Sequence, residues 1–136
     1  MNEPRFSNPS LQETFQKVSP AFDSYLERID QISADIKELE KYLHAQGVVL
    51  EFRHVVNEAS KDGGYVGSEA LLWKHDNTSD KWRLFYEHTS WDEKTDTEST
   101  VEEKPLIETK AEIRRRTAHA LPDFLKKLAE ETAPIK

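Results

Sequence analysis

Cysteine is absent from the chain, and with it go disulfides, thiolate nucleophiles and thiolate metal sites. Glycine is scarce, with four residues. Its one adjacent pair, in Asp62-Gly63-Gly64, lacks the following Lys-Ser/Thr and the strand-to-helix setting of a phosphate loop. A Gly-x-Ser-x-Gly nucleophile elbow is also missing. No run approaches the roughly 18 apolar residues that a membrane span needs. Met1–Ser10 carries Glu3 and two prolines and no apolar stretch, so a cytoplasmic protein with no membrane partner is expected. Positive charge is in the minority: 19 Lys and Arg stand against 26 Asp and Glu, a formal net charge of −7. Nucleic acid and other polyanions are repelled at long range by such a chain, whereas a basic protein surface is attracted.

Hydrophobic residues make up 36% of the 136 positions, below the usual globular share, and charged residues 33%, above it. The length suits one domain with one core. Aromatic residues at 10%, three of them Trp, are enough to separate this composition from a disordered one. A small core under a large charged surface fits a domain that buries further apolar area by assembling.

The strongest pattern is a stripe formed by Phe22, Tyr25, Ile29, Ile32, Ile36, Leu39 and Leu43. Its spacing alternates three and four, the seam of a helix packed lengthwise on another helix. Ser19 as N-cap, Pro20 at the first helical position and Gly47 as left-handed C-terminal cap bound a helix of about 26 residues, roughly 39 Å long. Leu26 and Tyr42 widen the stripe, which predicts that one edge packs on the domain and leaves the other for a second subunit. Ahead of it, Pro9 with a Ser10/Glu13 capping box predicts a short helix to about Lys17, preceded by a loose tail over residues 1–8.

Past Gly47 the period becomes that of strands. Three are expected: Val48–Val56, Val66–His75 and Trp82–Trp91, joined by the Asp62-Gly63-Gly64 turn and a polar turn at Asp76–Lys81. Short connections favour an antiparallel meander. Asp92–Lys104, polar and acidic, reads as an exposed loop. Pro105 opens a second helical region with Ile107, Ala111, Ala118, Leu121, Leu125 and Leu128 on one face, and Pro122 kinks or breaks it. The expected fold is therefore α+β: a long N-terminal helix preceded by a short one, a three-stranded antiparallel meander, and a kinked C-terminal helix beside the long helix on one sheet face.

Candidate chemistry is thin. His54, His75 and His88 fall one on each strand, and three imidazoles on one face would make an open metal site. No His-x-His or His-Glu-x-x-His spacing supports it. Glu51, Glu69 and Glu87 alternate with apolar residues near Arg53 and Arg83, the pattern of a solvated face with cross-strand ion pairs. Arg114, Arg115 and Arg116 form the basic patch, but 100° steps spread them around a helix, and Glu108 and Glu112 are placed to pair with them. An acidic docking segment is their functional reading. Trp73 and Trp91, in the aromatic group of the second hairpin, are candidates for a partner-facing sheet surface. No cofactor is implied. The expected function is a non-enzymatic, dimeric protein-interaction module of the adaptor, chaperone-like or neutralising kind, using the seam or the aromatic sheet face. The alternative is a small ligand- or metal-binding enzyme with its site between the sheet and the C-terminal helix.

Overall fold

A computed structural model describes residues 4–61, 65–92 and 94–133, with the side chains at 59–61, 65 and 66 outside that description. The Asp62-Gly63-Gly64 turn therefore lies outside the described residues. Helix α1 spans Pro9–Ala45. Strands β1 (Phe52–Lys61), β2 (Tyr65–Asp76), β3 (Lys81–Asp92) and β4 (Thr97–Pro105) follow, then a single 3-10 turn at Leu106–Glu108 and helices α2 (Ala111–Ala118) and α3 (Leu121–Thr132). The class is α+β, as the patterning implies. No helix is long and apolar enough to cross a membrane among the described residues.

β1 begins at Phe52 and not at Val48, and three larger differences from the sequence expectation have physical reasons. First, there is no separate short helix: α1 runs unbroken through Pro20. Its start is fixed by Asn8, whose side chain accepts from the Leu11 N–H at 3.0 Å, with Pro9 at the first position. The capping box at Ser10 and the cap at Ser19 are not used. A proline inside a helix removes one backbone donor, and here the apolar stripe continues across it. Second, the acidic segment is not all loop. Thr97–Pro105 pairs antiparallel with β3, making a four-stranded sheet of order β1-β2-β3-β4. Its Thr and Glu residues suit an edge strand, which is protected from further pairing by charge. Third, the C-terminal region is two helices and not one kinked helix. α2 ends at Ala118, and Pro122 sits in the first turn of α3, where its missing N–H costs nothing.

The helices cover one face of the sheet. Phe52, Leu71, Trp73, Leu84 and Tyr86 point inward and pack with Ile36 and Leu43 of α1, Leu106, and Phe124 and Leu128 of α3. On the outer face Ala70, Leu72 and Phe85 form a small buried strip. Arg53–Glu87 and Lys74–Glu103 ion pairs roof it, and the Lys74 ammonium lies 4.8 Å from the Phe85 ring centre.

Helix α1 also closes a gap in the sheet. β4 ends at Pro105, opposite Phe85, so the next β3 donor toward that edge has no strand partner. The Glu40 carboxylate accepts this Leu84 N–H at 3.0 Å. Replacing Glu40 by alanine orphans a donor on a buried residue and is expected to cost about 1–3 kcal/mol. Urea unfolding checks it, with Glu40→Gln, which keeps an acceptor, losing less than half as much.

Candidate functional site

The C-terminal half of α1 belongs to the core. Ile29, Ile36 and Leu43 are buried, and Ile32 and Leu39 are partly buried against the same cluster. The N-terminal half does not. From Pro20 to Arg28 every residue is exposed, with Phe22 at 59% and Leu26 at 60%. Leu11, Val18 and Tyr25 are exposed as well. Two neighbours touch this stretch at its ends: Phe6 folds back onto Phe15 with ring centres 5.5 Å apart, and Arg115 of α2 lies beside the Tyr25 hydroxyl.

Continuity of the helix through Pro20 reveals a longer seam than the sequence reading found. Leu11, Phe15 and Val18 precede Phe22 at spacings of four, three and four, so one register runs from Leu11 to Leu43 without a slip. Stopping at Pro20 hid them; the spacing alone would have found them. One continuous apolar line therefore has two environments, buried past Ile29 and uncovered before it. Side positions on the uncovered half are uncharged up to Arg28: Gln12, Thr14, Ser19, Ala21 and Leu26 flank the line, while Glu13, Lys17, Asp23 and Glu27 fall on the far side of the helix. The uncovered half therefore leaves a line of large apolar side chains in contact with solvent.

The other sequence candidates sort as follows. Trp73 is fully buried and is a core residue rather than an interface one, and Trp91 is half-buried. Trp73 faces the inner core and Phe85 lies under the ion pairs that roof the outer face, so neither belongs to an open aromatic surface. His54, His75 and His88 do share the inner face, opposite Leu71, Trp82 and Glu69 respectively. They are spread along it, though: Glu69 and His75 are six residues apart on β2, about 20 Å at 3.3 Å per residue. Among the described residues no three His, Asp or Glu gather as a metal site would require. His75 instead contacts Asn77 and Asp80 in its own turn.

The arginines are engaged internally. Arg114 donates to the backbone carbonyls of Ile107 and Thr109, Arg115 pairs with Glu112 at 2.9 Å, and Arg116 reaches β2 to bind Glu69. Glu69 also accepts from Asn57 Nδ2 at 3.0 Å and from the Tyr86 hydroxyl. Burial alone would raise its pKa, but the Arg116, Tyr86 and Asn57 donors outweigh it and hold the carboxyl below its usual range. Burial and that same carboxylate push the Tyr86 hydroxyl well above its usual value. Every Glu69 oxygen is occupied, so the cluster fastens α2 to the sheet and leaves no lone pair for a substrate.

Two of the surface hollows bear on possible chemistry. A cleft of about 370 Å³ is lined by Lys37, Lys41, His44, Lys81 and Arg83, and Arg83 is held there by Glu40, Asp76 and Glu108. An apolar groove of about 650 Å³ runs between the end of α1, Val48–Leu50 and α3. Among its lining residues Tyr42 is the one ionisable side chain, with no His, Asp, Glu, Lys or Arg beside it. Comparison with protein-family models, curated proteins and solved structures returned no match.

Proposed function

We propose that this chain is a non-enzymatic interaction module that docks helix against helix, with the uncovered half of α1 as the docking element. Its partner is a helix bearing an uncharged apolar stripe of matching period. One observation carries the reading: Phe22 and Leu26, large apolar side chains, stay about 60% exposed on a helix whose other half is core. The internal use of Glu69, Arg114 and Arg116 and the separation of the strand histidines support a binding role over a catalytic one.

The test separates interface from core. The double substitution Phe22→Asp/Leu26→Asp, studied near 1 µM where association is weak, is expected to leave the melting temperature within about 2 °C of the parent. Ile36→Ala, in the buried half of the same stripe, is expected to cost about 2–5 kcal/mol. A double variant that unfolds the domain would show the stripe to be core and would overturn the reading.

A further inference from the structure

We infer that the helix which covers the uncovered half of α1 is the same segment of a second copy, running antiparallel. This rests on the helix-docking reading above and names its partner.

Charge argues first. Each copy carries −7, so two copies repel at long range, and a partner of opposite charge would be preferred if the docking face were charged. That face is neutral: Gln12, Thr14, Ser19, Ala21 and Leu26 flank its apolar line, and Arg28 stands at its domain end. Self-association therefore meets no like-charge contact at the face, and an ionic partner finds nothing to recognise.

Register argues second. In an antiparallel pair the two classes of seam position face one another. Setting Val18 against Phe22 of the other copy also sets Phe15 against Tyr25, and it brings Leu11 opposite Ile29, where the stripe passes into the core. Ala21 then meets Ala21 near the two-fold axis, where a small side chain lets the helices approach, and Arg28 meets Thr14 rather than another cation. A parallel pair would stack Phe22 on Phe22 and Tyr25 on Tyr25 and would hold both acidic domains at one end. Antiparallel pairing puts the domains at opposite ends of a segment about 27 Å long. Charges that far apart are screened at a Debye length of about 8 Å in physiological salt.

Area sets the strength. A stripe about 27 Å by 10 Å on each copy amounts to roughly 600 Å² in total, below the roughly 1,200–2,000 Å² of tight complexes. The dimer therefore forms in the micromolar range and above and dissociates on dilution.

Light scattering over a concentration series tests this on the full chain. The mass is expected to rise from 15.8 kDa toward twice that value between about 1 and 500 µM. Phe22→Asp is expected to weaken association more than about 100-fold by placing a carboxylate in the seam. Orientation is read by disulfide trapping, which the absence of native cysteine makes clean. A mixture of Phe15→Cys and Tyr25→Cys proteins should cross-link in air, while each alone should not. Cross-linking of each variant with itself, without gain on mixing, would overturn the antiparallel arrangement. A mass of 15.8 kDa at every concentration would overturn the second copy as partner. The aspartate double variant would then decide separately whether the helix face is still a docking surface.

Discussion

Replacing Trp73 by alanine is expected to remove about 3–5 kcal/mol, a large share of the 5–15 kcal/mol that holds a typical domain folded. Trp73 has no solvent exposure and sits between Phe52 and Leu84 on its neighbouring strands. Its ring lies 5.5 Å from His44 and 6.2 Å from Trp82, centre to centre. Its indole N–H donates to the Val48 carbonyl at 2.9 Å, pinning the chain where it leaves α1 for the sheet. Truncation opens a cavity and orphans that carbonyl together. Trp73→Phe keeps most of the packing and loses the donor, so a smaller loss of about 1–3 kcal/mol is expected. Urea unfolding distinguishes the two. An alanine variant within 1 kcal/mol of the parent would mean that the end of α1 is anchored elsewhere.

The second large effect is expected at Arg116, and it depends on pH. Arg116 is the cation that fastens α2 to Glu69, whose side chain is 13% exposed. Breaking a well-buried ion pair costs about 3–5 kcal/mol; Arg116 itself is 42% exposed, which lowers the expectation for Arg116→Ala to about 1–3 kcal/mol at neutral pH. Glu69 has a folded pKa below its ordinary 4.5. Its stabilising contribution is therefore present above that ordinary value and lost as pH falls through the lower folded value. In Arg116→Ala the Tyr86 and Asn57 donors remain but the guanidinium no longer opposes burial, so the carboxyl moves back up toward its ordinary value. The stability gap between parent and variant should accordingly shrink as pH drops from 6 to 3. A gap that stays constant over this range would rule out the ion pair as its source. Tyr86 acts at the other end. Its folded pKa is raised, so its contribution is complete below its ordinary value of 10 and declines at higher pH, as only the unfolded chain ionises.

How far these features are legible in the sequence depends on whether they are periodic. The long helix, its Gly47 terminus with φ of +69°, the three apolar strands and the antiparallel order follow from spacing and turn chemistry. β4 was not legible because Thr97–Pro105 carries Val101 as its sole large aliphatic residue. An edge strand is held by pairing to its neighbour more than by burial, so it leaves little apolar signal. The Glu69 cluster was hidden by a shift of register between Val55 and Asn57, a bulge that brings Asn57 opposite Glu69 on the inner face. Simple alternation would have assigned these residues to opposite faces. Arg116 shows the same limit: an arginine triplet looks alike in a sequence whether it is solvated or bound to a strand 47 residues away. Pro20 misled in the opposite direction, because a start signal and an internal proline of a continuous helix share the same letters. The stripe itself could be read from the sequence. Where along it the core ends could not, since that depends on how far the sheet and α2 reach.

The division of α1 is tested most directly by amide hydrogen exchange along the helix at two protein concentrations. Near 1 µM, residues 11–26 are expected to exchange through local opening with little protection, while residues 29–43 are protected close to the global stability. Near 500 µM, protection should appear in residues 11–26 and leave residues 29–43 unchanged, because only the first stretch gains a partner. Uniform protection of residues 11–43 at both concentrations would contradict a helix that is half core and half docking surface.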